Sequence, residues 1–180
     1  MGNKPKPGFD FKLMSLQYKV RDFFSPRMDV LVEVGIKPGF HVLDYGCGPG
    51  GYITPLAELV GESGRIYALD IHPLAIESVR AIASRKQLTN VETICSDCKT
   101  GLPDGSVDMI LLYDTFHGLS DPNGVLAELH RVLKPGGILS FSDHHMKEHE
   151  IVSGVTSGEL FRLLRKGKRT YSFLREEAVD

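Results

Sequence analysis

Residues able to do chemistry gather at a few points of this 180-residue chain. Asp44 stands just ahead of Gly46, Gly48 and Gly51, which fall at Gly-x-Gly-x-x-Gly spacing, and Asp70 follows about 20 residues further on. Glycine can take positive φ and can lie against a ligand that a side chain would hold away. A helix starting at once after such a turn, as Tyr52 to Val60 is expected to do, aims free N–H groups at the same space. The arrangement is one that cradles nucleotides. A pyrophosphate fits it poorly, because Asp44 would repel it and Pro49 lacks one of the N–H groups it would use. A carboxylate there can instead accept hydrogen bonds from a cationic ligand, directly or through water.

A ligand carrying an adenosine but no phosphate meets both conditions, and S-adenosylmethionine (SAM) is the obvious one. Asp70 is placed to accept both ribose hydroxyls of an adenosine, with Ile71 on the adenine face. His117 is the first candidate for a general base, since it follows an expected strand and imidazole titrates near neutral pH. His144 and His145 are the second candidates, and His145 enters with His117 as a catalytic residue. His145 and His149 are spaced i, i+4, and Cys95-x-x-Cys98 lies in the same chain, so a soft-metal site can be drawn from them. A single Cys-x-x-Cys is a weak signal, and no metal is assigned. Cys47, inside the glycine turn, reads as a packed thiol.

These residues need elements to position them. Alternation of apolar strand-like runs with amphipathic helices predicts strands over His41 to Tyr45, Arg65 to Asp70, Val91 to Cys95, Val107 to Tyr113 and Ile138 to Ser142. His72-Pro73 and Asp121-Pro122 open helices, the first with Ala75, Val79 and Ile82 on its inner face, and Pro135-Gly136-Gly137 is expected to break the chain before the fifth strand. Glu148 to Ser157 reads as one more helix. Leu160 to Arg165 and Arg169 to Leu174, joined by Lys166-Gly167-Lys168, form an antiparallel hairpin. The rhythm implies an α/β fold, a doubly wound parallel sheet with helices on both faces and ligands beyond the carboxyl ends of the strands. Residues 1 to 10 are expected to be a flexible segment and 11 to 180 a single domain, within which 11 to 35 form a helical leader. Ser25-Pro26 opens the second leader helix and Gly35 ends it.

Four stretches in order resemble the class I SAM-dependent methyltransferases, in particular the small-molecule branch of the ubiquinone/menaquinone-biosynthesis type. Val42-Leu43-Asp44-Tyr45-Gly46-Cys47-Gly48-Pro49-Gly50 is similar to the family's first motif and Tyr67-Ala68-Leu69-Asp70 to its second. Leu102-Pro103-Asp104-Gly105-Ser106-Val107-Asp108 and Arg131-Val132-Leu133-Lys134-Pro135-Gly136-Gly137 resemble two later landmarks. The resemblance implies a seven-stranded Rossmann-like sheet of order 3-2-1-4-5-7-6, with the terminal hairpin as its antiparallel edge. It also implies that Asp97 and the Cys98 backbone N–H meet the adenine, and that Gly46, Gly48 and Asp44 meet the methionine portion and its ammonium. Tyr113 and Asp114 would close the methionine side, and the leader would pack beside the cofactor as a lid. The implied reaction moves a methyl group from SAM to a small-molecule acceptor by in-line displacement and leaves S-adenosylhomocysteine.

Composition sets outer bounds. A content of 42% hydrophobic and 24% charged residues is ordinary for a soluble globular domain, and the net charge of −2 gives no general reason to bind nucleic acid. Arg162, Arg165, Lys166, Lys168 and Arg169 form a local basic cluster, read as a solvated hairpin. No apolar run reaches membrane-span length, no signal peptide is evident, and three cysteines do not suggest a disulfide framework, so a cytoplasmic protein is expected. With no long insertion after strand five, the acceptor lid falls to the leader or to a second protomer of a homodimer. Other readings stay open beside the methyltransferase: a SAM-binding module without catalysis, an NAD(P)-binding oxidoreductase, and a metalloid methyltransferase of the arsenite type.

Overall fold

A computed structural model of the chain describes residues 27–177. The segment 1–10 and most of the expected leader, 11–26, lie outside the described residues. The described part opens with helix α1 (Arg27–Val34), which Gly35 ends at φ +84°, the left-handed geometry that favours glycine after a helix. Five strands and three helices follow: β1 (His41–Tyr45), α2 (Ile53–Val60), β2 (Arg65–Asp70), α3 (Pro73–Lys86), β3 (Val91–Cys95), β4 (Val107–Tyr113), α4 (Pro122–Val132) and β5 (Leu133–Ser142). Helix α5 (Glu148–Thr156) leads to β6 (Phe161–Lys166) and β7 (Tyr171–Arg175).

The strands form one seven-stranded sheet of order β3-β2-β1-β4-β5-β7-β6, as the family resemblance implies. The β1–β2, β1–β4, β2–β3 and β4–β5 pairs are parallel, while β7 pairs antiparallel with β5 and β6. The alternation of side chains along each strand sends them to two apolar layers. Leu43, Ile110, Leu112, Leu139, Phe141 and Phe173 join Val125, Leu129 and Val132 of α4 on one face. Val42, Ile66, Ala68, Met109 and Leu111 join α1, α2 and Val79 of α3 on the other. Both faces of the central strands are covered, which is why β4 is an almost unbroken run of buried residues.

One boundary differs from expectation. Pro135-Gly136-Gly137 lies inside β5, and α4 ends earlier, at Val132. Val107 pairs with Leu133 and Met109 with Ile138, so five residue steps on β5 oppose two on β4. The proline and glycines make a bulge in the strand, a site where such residues are tolerated because ladder bonds are already interrupted.

Candidate functional site

The glycine turn between β1 and α2 sits where the strand order reverses, with β2 on one side of β1 and β4 on the other. Gly46 has φ +80°, and a Cβ placed on it would overlap Thr115 just beyond β4, so the close passage of these two strand ends requires glycine. Gly51 lies beneath the Arg27 guanidinium, which also stacks 4.5 Å from the Tyr52 ring centroid. The start of α1 is therefore folded over the turn, a feature with no motif to announce it.

Asp44 and Asp70 supply negative charge to this turn. Asp44 is buried, and its Oδ2 has no hydrogen-bond partner. Burial raises its pKa to about 7, the Arg27 charge pulling it down and Asp70 pushing it up. Asp70 accepts the Gly48 N–H at 2.9 Å on Oδ2 and the His72 N–H at 2.8 Å on Oδ1. Each oxygen keeps a further lone pair, as two neighbouring hydroxyls would need. Burial is again the largest influence and raises the Asp70 pKa, against the backbone hydrogen bonds that lower it. His72 caps α3 by accepting the Leu74 N–H at 3.1 Å, and Ser78 donates to the Pro49 carbonyl at 2.9 Å, which fastens the turn to α3.

Ile71 follows Asp70 and is half-buried, with Cys95 Sγ 3.8 Å from its carbonyl oxygen. Asp97 is exposed, and its carbonyl accepts the Tyr45 hydroxyl at 3.1 Å. The Cys98 N–H donates to Ser96 Oγ at 3.3 Å. Tyr113 directs its ring into the core, 5.3 Å from Tyr52, and its hydroxyl pairs with Ser140 Oγ at 2.7 Å. The Tyr113 carbonyl accepts from Thr115 Oγ1 at 2.9 Å. Among the described residues, no group of three or more His, Cys, Asp and Glu is arranged to hold a metal ion.

The tips of β4 and β5 are cross-linked in a reciprocal way. Asp114, at φ +51°, follows β4 and accepts both the N–H of His144 at 3.1 Å and its Nδ1 at 2.6 Å. Asp143 follows β5 and accepts the N–H of His117 at 3.1 Å and of His145 at 3.1 Å. The His117 Nδ1 lies 2.8 Å from Asp143 Oδ2 and 3.0 Å from Oδ1. The His145 ring packs between the others, 4.3 Å from His117 and 3.8 Å from His144 between centroids. The three imidazoles therefore cluster at the carboxyl-terminal tips of β4 and β5. Asp143 went unnoticed among the sequence candidates, although its place directly after an expected strand is the same signal that singles out Asp70 and Asp114.

The sheet order is that of a Rossmann-like methyltransferase fold, and the comparisons show the family. A model of the methyltransferase domain family matches residues 36–177, and the chain belongs to that family. It is 36% identical to the aklanonic acid methyltransferase of a Streptomyces species over 67% of this chain and 56% of that protein. Against the demethylmenaquinone methyltransferase of a Geobacillus species it is 31% identical, over 86% of this chain and 69% of that one. The crystal structure of a SAM-dependent methyltransferase from Aquifex aeolicus superposes with a TM-score of 0.74 at 30% identity, covering 88% of this chain and 96% of that one. The chain spans only about half the length of the first curated relatives it matches, 56% of each.

Proposed function

We propose that the protein is a SAM-dependent methyltransferase acting on a small-molecule acceptor. The observation that carries this reading is the buried Asp44 carboxylate, whose Oδ2 lacks a partner at the floor of a glycine turn in a chain of the methyltransferase family. An unpaired buried carboxylate is costly, and a cationic ligand group would relieve it. The ammonium of SAM is such a group, so the residues present fit the cofactor.

Asp44 would hold that ammonium, Asp70 the ribose hydroxyls and Ile71 one face of the adenine. Asp97 would reach the adenine edge, and Gly46 and Gly48 would border the methionine portion. Tyr113 would contribute its carbonyl to that portion and Asp114 its side chain. Arg27, poised over Gly51, adds a guanidinium that suits the ligand's carboxylate. When bound, SAM supplies an activated methyl electrophile. The chain's own task is to align the acceptor in line with that methyl, to exclude water and, where the acceptor is protic, to take its proton. His117 and His145, at the strand tips, would face the acceptor. The small-molecule methyltransferases among its relatives support an acceptor of the same kind.

Radiolabelled methyl transfer from SAM to a panel of phenols, hydroquinones, thiols and amines tests the activity. Transfer to at least one acceptor, lost in Asp70→Ala, is the expected result. SAM binding with no transfer across the panel would favour a non-catalytic SAM-binding module instead.

A further inference from the structure

The proton-accepting side of the site can be read from the bonds to Asp143. Its side chain is fully buried, and both oxygens already accept backbone N–H groups, from His145 on Oδ1 and from His117 on Oδ2. A carboxylate so engaged has only acceptor capacity left for the imidazole, so His117 Nδ1 carries a proton and donates it. In the neutral ring Nε2 is then the unprotonated nitrogen. The His117 side chain retains 36% of its accessible surface, beside the strand tips where ligands of this sheet topology bind.

We propose that Asp143 is a positioning residue that fixes His117 as the Nδ1–H tautomer, so that Nε2 is the general base for a protic acceptor of the phenol, enol or hydroquinone class. This rests on the methyltransferase reading above and narrows its acceptor class. In the step, the acceptor's O–H bond breaks and the proton passes to His117 Nε2. The electron pair left on the acceptor, at oxygen or at a conjugated carbon, forms the new bond to the methyl group. The S–CH₃ bond breaks with its electrons to sulfur, which becomes neutral, and when carbon is methylated its C–H proton is lost to water as the ring rearomatises. The imidazolium returns its proton to water. The His145 ring, 4.3 Å from that of His117, narrows the space open to His117.

Substitution of Asp143 by Asn gives a specific signature. With its amide oxygen kept on the His145 N–H, its NH₂ would take the place of Oδ2 and face Nδ1 as a donor, which favours the proton on Nε2, while the His117 N–H loses its acceptor. Long-range ¹H–¹⁵N correlation of the imidazoles, on the full chain with and without S-adenosylhomocysteine, reads this directly. The wild type is expected to show His117 as the Nδ1–H form, and Asp143→Asn as the Nε2–H form. With a hydroquinone probe, kcat should fall by about 10²-fold or more while KM for SAM is unchanged. A wild-type His117 in the Nε2–H form, or a tautomer that Asp143→Asn leaves as it was, overturns the proposal. So does a variant that alters KM alone. S-adenosylhomocysteine binding, followed in the same samples, tests the methyltransferase reading separately, since its failure would leave the tautomer result standing.

Discussion

Asp44 is the residue at which the proposed cofactor role and the stability of the fold can be tested together. Its pKa is raised from 3.8 to about 7 by burial, so its stabilising contribution is complete below about pH 4 and is lost as pH rises through 7. The ligand-free protein should therefore become less stable between pH 5 and pH 8, by about 3 kcal/mol from this group. Asp44→Asn, which stays neutral, should flatten that slope in urea melts at the two pH values. SAM would favour the ionised form, so its affinity should rise about tenfold from pH 6 to pH 8 in the wild type and stay level in Asp44→Asn. An unchanged slope in the variant would mean that Asp44 does not titrate in this range. Asp44 was legible in the sequence because it precedes the glycines. Arg27 was not, since nothing in its surroundings marks it until α1 folds over Gly51 and Tyr52.

At the scale of elements, the two later family landmarks are physically joined. Glu128, buried on α4, accepts Thr100 N at 2.8 Å and Thr100 Oγ1 at 2.6 Å, and Arg131 NH2 at 2.8 Å. Arg131 also bridges to Asp104, so α4 is bolted to the loop between β3 and β4. Burial raises the Glu128 pKa, but the Arg131 and Thr100 hydrogen bonds outweigh it and hold the group at about 2. Its contribution is present above pH 4.5 and lost as pH falls through 2, on the order of 3 kcal/mol. Glu128→Gln should cost about 2–3 kcal/mol at pH 7, read as a shift of the urea midpoint, and the cost should shrink below pH 3. Gly46→Ala, by contrast, should impair SAM binding more than stability, because the added Cβ pushes Thr115 at the mouth of the site; equal losses in both would contradict this.

The elements themselves were largely readable from the sequence, because β1, β2 and β4 carry apolar runs that end in polar residues or a tyrosine, while β3 is a short, half-exposed edge strand. What misled was Pro135-Gly136-Gly137: it has the composition of a break, yet pairing of Leu133 with Val107 carries the strand across it. Glu128 was hidden for a related reason, since a glutamate on an amphipathic helix reads as solvent-facing until Thr100 and Arg131 are brought to it.

Over the whole molecule, charge and topology point the same way. The basic hairpin is a set of exposed cations with local partners: Arg162 pairs with Glu176 at 2.7 Å, Lys166 with Glu148, and Arg165 with the Glu33 carbonyl at 2.6 Å. With a net charge of −2, a fluorescein-labelled single-stranded RNA should show no saturable anisotropy change at 150 mM salt, to roughly micromolar protein. Saturation there would revive the cluster as a nucleic-acid site. The sheet order places the glycine turn, Asp70 and the histidine cluster along one edge of carboxyl-terminal strand ends.

Calorimetric titration of SAM, S-adenosylhomocysteine and NAD into the wild type and Asp70→Ala tests the central claim most directly. Binding of SAM or S-adenosylhomocysteine that Asp70→Ala abolishes, with no heat from NAD, is the predicted result. Binding of NAD with neither SAM nor its product would contradict the account, because the glycine turn would then serve a dinucleotide.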